Sequence, residues 1–207
     1  YSLQEGLDGL VACSGIPGTV GGAIAGNAGA FGEQIGDHLF SATLVDRAGN
    51  EWEVNRDDLE FDYRSSKLQR TDAYVAAARF RLKPGQRERL RAQRQEILQL
   101  RASKHPDWKR TPTAGSFFKN IEPTSKAERR QAAGWFLEQA GAKALSVGGA
   151  HPFEKHANII VADIGCTAAD VYALSEQMAA LVKARFGFSL HREVRLLGTF
   201  ARKSSDA

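Results

Sequence analysis

Eight of the chain's twenty glycines fall within residues 15–36, spaced among Ala, Val and Ile. A run of this kind predicts a loop that brings backbone close to something flat or phosphorylated, because small side chains leave the N–H groups uncovered. The same composition suits close packing of a helix on a strand, and the residues alone leave both readings open. Two common phosphate motifs are excluded. No GxGxxG follows a strand to open a helix, and no GxxxxGK[ST] is present because no Lys follows the glycines.

The segments around the run alternate between helix and strand patterns without a βαβ period. Residues 3–13 look helical. Residues 40–46 read as a strand, Arg47, Ala48, Gly49 and Asn50 as a turn, and residues 51–54 as the returning strand of a hairpin. Asp57 and Asp58 cap a short helical turn, and residues 73–82 form a strand stopped by Pro84 and Gly85. Residues 86–103 carry leucines at amphipathic helical spacing, stopped at His105 and Pro106, with a loop over 105–114. A short strand is expected at 116–118, and a helix over 127–139 closed by Gly141. Strands are expected at 145–147 and 158–161. Thr167 and Asp170 form a capping-box variant for a helix to about residue 185, and a last strand spans 188–197 before a frayed polar tail from Lys203. The class is α+β, and a doubly wound sheet is disfavoured.

At 207 residues and 43% hydrophobic content the chain can bury one core, or a core and a satellite. The net charge of +4 comes without a nucleic-acid module. Its densest basic stretch, 87–110, is interleaved with Leu90, Ile97, Leu98 and Leu100 and reads as a solvated helix face. A modest positive field suits an anionic substrate. Cys13 and Cys166 form no CxxC and no His/Cys cluster, so no metal site is expected, and a reducing cytoplasm fits. No apolar run reaches the roughly 20 residues of a membrane span, and no signal peptide is seen. The chain opens at Tyr1 without Met, which we read as the interior of a longer protein whose beginning lies upstream.

Three further clusters carry chemistry. In Phe61-Asp62-Tyr63-Arg64-Ser65-Ser66, the guanidinium of Arg64 is either held rigidly into a cleft by its aromatic and hydroxyl neighbours or stacked on Tyr63 at the surface. In Ala114-Gly115-Ser116-Phe117-Phe118-Lys119-Asn120, Ser116 is either a proton donor on a dry face or a strand-edge serine beside a core phenylalanine. No G-x-S-x-G elbow supports a hydrolase nucleophile. In Leu190-His191-Arg192-Glu193-Val194-Arg195, strand alternation puts Glu193 on one face with His191 and Arg195, an arrangement equally suited to exposed salt bridging.

Taken in order, GIPGTVGGAIAGNAGAFGEQIGD, FDYRSS, PTAGSFFKN, AGWFLEQAGAK, SVGGAHPFEKHANIIV and LHREVRLLG resemble the UDP-N-acetylenolpyruvoylglucosamine reductases over about residues 5–200. The resemblance implies an enzyme that uses NADPH and FAD to reduce UDP-N-acetylglucosamine enolpyruvate to UDP-N-acetylmuramate in cytoplasmic peptidoglycan synthesis. Reduced flavin passes hydride to C3 of the enolpyruvyl group and a serine protonates C2. It implies catalytic roles for Arg64, for Ser116 as proton donor, and for Glu193, acting protonated or through Arg64 on the enolate that develops at the substrate carboxylate. It places FAD against Gly18, Gly21, Gly22, Asn27 and Gly29, and substrate against Lys104, Lys119, Asn120 and His156. Residues 1–100 become the second half of an FAD-binding domain of the PCMH or vanillyl-alcohol-oxidase type. Residues 101–202 become a C-terminal substrate-binding domain, and 203–207 a tail. The family's pyrophosphate loop would lie before Tyr1.

Two departures from the family pattern bear on loop shape. Ile121 stands where the family has Pro after FKN, with Pro123 following. The 40-residue separation of Arg64 and Lys104 looks like the subtype lacking an extra tyrosine-bearing loop. Neither nucleic acid, membrane nor an obligate protein partner is expected. Two rivals remain: a related FAD oxidoreductase acting on another substrate, and a flavin-free module that only binds sugar nucleotide. Fast reoxidation of reduced flavin by enolpyruvyl sugar nucleotide argues against the first. Flavin absorbance in the purified protein argues against the second.

Overall fold

A computed structural model of the chain describes residues 1–122 and 130–200. The start of the helix expected from 127, Pro123, and the tail from Lys203 lie outside the described residues. The chain divides into two compact units, Tyr1–Arg101 and Ala102–Ala207. Each contains helices and strands, and the architecture is α+β.

The first unit begins with β1 (Leu7–Asp8), followed by a single 3-10 turn over Val11–Cys13. The helix expected over 3–13 does not form. Gly6 and Gly9 adopt φ of 68° and 134°, and a Cβ at Gly9 would come within 2.9 Å of both His38 Nδ1 and Leu82 Cδ2. The glycine run is not wholly a loop. Thr19 caps a short helix, α1 (Val20–Ala25), its hydroxyl accepting the Gly22 N–H at 3.1 Å. A small hairpin, β2 (Gly29–Ala30) and β3 (Glu33–Gln34), follows.

β4 (Leu39–Val45) pairs with both β5 (Glu51–Asn55) and β6 (Tyr74–Phe80) in an antiparallel sheet of order β5-β4-β6. The hairpin turn is set by Asp46, whose carboxylate accepts from the N–H groups of Ala48 and Asn50. α1 lies against β6, where a Cβ on Gly21 would meet Val75 at 3.4 Å. The core of this unit gathers Ile24, Ile35, Leu39, Leu44, Leu59 and Leu68. β7 (Lys83–Pro84) pairs antiparallel with β1, and α2 (Arg87–Lys104) follows, burying Leu90 and Ile97.

The second unit holds β8 (Thr113–Ser116), α3 (Ala133–Gln139), β9 (Ala150–Phe153), β10 (His156–Ala162) and α4 (Ala168–Phe186), with sheet order β8-β10-β9. Phe117 and Phe118 are both buried, beside Phe136, Leu137, Leu174 and Met178. Each such side chain contributes about 1.5–3 kcal/mol by leaving water. Thr167 caps α4 in a capping box with Asp170, and Gly187 closes it in the left-handed region.

Two expected strands are corrected. Residues 145–147 contribute only a bridge from Val147 to Ala150, because the chain turns tightly at Gly148 and Gly149 and the strand starts after the turn. Residues 188–197 form no strand, only one bridge between Phe118 and Arg192. The N–H groups of both Glu193 and Val194 point at the single carbonyl of Phe117, which breaks the ladder after one step. The face shared by His191, Glu193 and Arg195 therefore does not arise from strand alternation.

Candidate functional site

In the first unit the glycine run divides by environment. Gly18 and Gly32 have open space where a Cβ would stand, and Gly22 is exposed. Gly29 and Gly36 are closely packed: a Cβ at Gly29 would lie 2.6 Å from the Glu33 carbonyl, and one at Gly36 2.8 Å from Asn27 Oδ1. The Asn27 side chain is fully buried. Its amide donates to Gln34 Oε1 and to the Asp62 carbonyl, both at 2.9 Å, and its oxygen accepts the Gly36 N–H at 3.1 Å. That side chain ties the glycine run to the segment that carries Arg64.

Arg64 is the second of the two central residues of a tight turn in which Asp62 and Ser65 exchange both backbone hydrogen bonds at 3.1 Å. Its own φ is 52°, a conformation non-glycine residues seldom adopt and one associated with sites held by their surroundings. The guanidinium lies 5.4 Å from the centre of the Tyr63 ring and donates to the Gly29 carbonyl at 2.7 Å. Ser66, fully buried, donates to the Ala25 carbonyl at 2.8 Å. Arg64, Asn27 and Gly29, spread over 38 positions (27–64) in sequence, are thus neighbours.

Arg101, read from sequence as part of a solvated helix face, belongs to this neighbourhood. Its guanidinium is 5.7 Å from the Phe31 ring, and its charge acts on Cys13 and Arg64. Burial pushes the Cys13 thiol upward, with Arg101 opposing. The missed signal is helical spacing: Arg101 follows Leu90 and Ile97 by eleven and four positions, on the stripe they bury.

In the second unit Ser116 ends β8 opposite Ile159 on β10. Gly115 just before it has φ 78°, re-aiming the chain. The next two residues are gripped by Asn158, itself buried. The Asn158 carbonyl accepts the Phe117 N–H at 2.7 Å. Its side chain accepts the Phe118 N–H at 2.9 Å and donates to the Phe118 carbonyl at 2.8 Å. On the other side, the Glu193 N–H donates to the Phe117 carbonyl at 2.8 Å, and the Lys119 N–H donates to the His191 carbonyl at 2.8 Å. The Ser116 and Glu193 segments therefore run side by side.

Asn120 accepts the Ala133 N–H at 3.1 Å, so its side-chain oxygen serves the first turn of α3. The next residue, Gly134, packs closely on His156: a Cβ there would stand 3.1 Å from the ring, which would have to give by a few tenths of an ångström. Burial holds the His156 imidazole below its usual 6.5. Its ring lies 5.9 Å from that of His105, and the exposed Lys104 acts on it through space. Lys104, Asn120 and His156 thus converge about the start of α3, and Lys119 is partly buried next to Asn120.

Among the described residues no helix is long and apolar enough to cross a membrane, and no group of three His, Cys, Asp or Glu residues is placed to hold a metal ion.

This is an α+β protein whose second unit sets a serine and a glutamate on adjoining segments beside a patch of Lys, His and Asn. Residues 106–197 match the family described as UDP-N-acetylenolpyruvoylglucosamine reductase, C-terminal domain. The chain is 41% identical over 208 residues to the UDP-N-acetylenolpyruvoylglucosamine reductase of Synechococcus sp. (strain RCC307), covering 100% of this chain and 65% of that protein. It is 38% identical over 195 residues to the one from Lachnoclostridium phytofermentans, covering 94% of this chain and 60% of that protein. A crystal structure of the reductase from Thermus caldophilus superposes with TM-score 0.77 at 30% identity, over 94% of this chain and 66% of that one. Over residues 106–197 the chain belongs to the C-terminal-domain family of the UDP-N-acetylenolpyruvoylglucosamine reductases. It spans 60% and 65% of the length of the two relatives named.

Proposed function

We propose that this chain carries the substrate-reducing machinery of a cytoplasmic oxidoreductase that converts UDP-N-acetylglucosamine enolpyruvate to UDP-N-acetylmuramate for peptidoglycan. The observation that carries the reading is the 2.8 Å bond from the Glu193 N–H to the Phe117 carbonyl, which sets Glu193 beside the peptide that follows Ser116. Family membership supplies the reaction.

FAD, reduced by NADPH, supplies when bound the hydride that adds to C3 of the enolpyruvyl group. The first unit leaves room for such a cofactor: Gly18 and Gly22 are exposed, and Gly18 and Gly32 have open space at their Cβ positions. Asn27 and Gly29 hold the frame behind them rather than offering free side-chain groups.

As C3 gains hydride, negative charge moves toward C2 and the substrate carboxylate. Arg64 meets that carboxylate with charge-assisted hydrogen bonds that strengthen as the charge grows. Glu193, protonated, donates to the same oxygens; as a carboxylate it would repel them. Ser116 hands its hydroxyl proton to C2, a transfer that requires only hydrogen-bond reach because the receiving carbon is strongly basic. Lys104 and Lys119 offset the charge of the diphosphate, with Asn120 and His156 as polar neighbours.

Half-reactions test the assignment. In flavin-loaded Ser116→Ala, reduction by NADPH should proceed at the wild-type rate, while oxidation by the enolpyruvyl sugar nucleotide slows by about 10²–10⁴-fold. Equal loss in both halves would remove the proton-donor role.

A further inference from the structure

The segment that carries Glu193 leaves α4 at Gly187 and returns along Phe117 and Phe118 without forming a ladder. Its one bridge, among the described residues, joins Arg192 to Phe118, and the N–H groups of Glu193 and Val194 share a single carbonyl. The core secures it from beneath, through buried Leu190 and partly buried Val194. A side chain that acts on bound substrate has to be held within about 0.5 Å of its working position, and a segment with so little backbone pairing needs side-chain supports to meet that tolerance.

Such a support comes from α4. Tyr172 and Glu176 stand one helical turn apart, so their side chains share a face of the helix. Arg192 Nη1 donates to Glu176 Oε1 at 3.3 Å, and the Arg192 guanidinium lies 5.3 Å from the centre of the Tyr172 ring. The same ring meets that of Phe200, with centroids 5.3 Å apart and planes at 41°. One tyrosine therefore holds the chain on both sides of Glu193, at residues 192 and 200. The helix beneath is itself fixed, by the Thr167 capping box at its start and by buried Leu174, Ser175, Met178 and Val182 along its inner face.

These contacts add little to stability. The Arg192 and Glu176 side chains are 34% and 56% exposed, and the attraction of such a pair is screened by water and salt and offset by the ordering of two long side chains. What they supply is direction. A planar guanidinium laid on a ring face and bonded to a carboxylate has few remaining orientations, and its backbone is one peptide from that of Glu193. We propose that Arg192, clamped by Tyr172 and Glu176, is a positioning residue for Glu193, fixing the segment that presents its carboxyl to substrate. The inference rests on the proposed role of Glu193 and adds to it the device that aims the group.

Amide hydrogen exchange and the two half-reactions, measured on the whole chain, test this. In Arg192→Met the thermal midpoint should stay within about two degrees of the wild type, because an exposed ion pair contributes little. The Glu193 amide should nevertheless exchange roughly tenfold faster, while those of Leu174 and Met178 in α4 are unchanged. Glu176→Gln should act in the same direction, and Arg192→Lys, which keeps the charge, should restore most of the protection. In the flavin-loaded chain the maximal rate of oxidation by the enolpyruvyl sugar nucleotide should fall by about 10–10²-fold in Arg192→Met, with reduction by NADPH at the wild-type rate. The proposal is overturned by unaltered Glu193 exchange in Arg192→Met, by faster exchange throughout α4 with a matching loss of midpoint, which would make the pair a purely structural contact, or by a loosened Glu193 amide with oxidation at the wild-type rate. A wild-type chain that does not oxidise its flavin with this nucleotide would overturn the proposed reaction instead, and the exchange measurements would still decide whether the clamp holds Glu193.

Discussion

The backbone N–H of Glu193 donates to the carbonyl of Phe117 at 2.8 Å, joining two segments 76 residues apart (117–193). The same carbonyl also lies 3.4 Å from the Val194 N–H, so one acceptor serves two successive donors. The resulting kink ends the pairing after a single bridge and leaves Glu193 beside the peptide that follows Ser116 instead of continuing a ladder. Six variants at five positions probe this arrangement, its counterpart in the first unit and the local structure around them.

Asn158 fixes Phe117 and Phe118 through three hydrogen bonds, and through them the position of Ser116. Asn158→Ala should lower stability by about 2–4 kcal/mol, because it strands the N–H and carbonyl of buried Phe118. Asn158→Asp should be at least as damaging, since a carboxylate cannot donate to the Phe118 carbonyl. Denaturant unfolding measures both. A loss under about 1 kcal/mol in each variant would show that this clamp is dispensable.

Asn27 plays the corresponding part in the first unit. Asn27→Ala removes both donors and the acceptor that hold Gln34, Asp62 and Gly36, and should cost about 2–4 kcal/mol in denaturant unfolding. Flavin binding should weaken with stability, because the frame behind the open glycines loosens. Weakened flavin binding with unchanged stability would instead indicate direct contact by the Asn27 side chain.

His156 gives the second unit a pH dependence of definite sign. Its imidazole is held below the ordinary 6.5, chiefly by burial. Above 6.5 folded and unfolded chains are both neutral there, and the full stability is present. As pH falls below 6.5 the unfolded chain binds a proton that the folded one refuses, so stability drops until the folded value is reached. The urea midpoint should therefore fall from pH 7.5 to pH 5.5, and His156→Gln should flatten that slope. An unchanged slope in the variant would assign the effect to other groups.

The α4 capping box offers a local control. Thr167→Ala should cost about 1 kcal/mol. Gly148→Ala should act on the same box from outside, since a Cβ at Gly148 would stand 2.5 Å from Asp170 Cγ and the residue has φ 52°. A loss of about 1–3 kcal/mol is expected there by thermal unfolding, and a neutral result would show that Asp170 swings aside freely.

The features legible in the residues were those whose causes lie within a few positions. Thr167 and Asp170 announce α4, and Asp46 through Asn50 announce the β4–β5 turn, because caps and turns are settled by side chains bonding to backbone two to four residues away. The family-level motifs around Arg64, Ser116 and Glu193 were likewise readable as strings. The pattern over 3–13 misled, because Gly6 and Gly9 take left-handed conformations that their neighbours alone do not demand: Gly9 stands against His38 and Leu82.

Residue order thus settled the class, the caps, the hairpin and the candidate chemistry, since each rests on local propensity or on motif identity. Folding in three dimensions decided which glycines stay uncovered and which are filled by Glu33, Asn27 and Phe61. It also decided that Glu193 meets Phe117 by a single kinked bridge, and that Arg101 turns inward among Gly15, Phe31 and Cys13. Those outcomes depend on where distant segments return against one another, and burial and hydrogen-bond supply at a point in space are properties of that return, not of any short window of sequence.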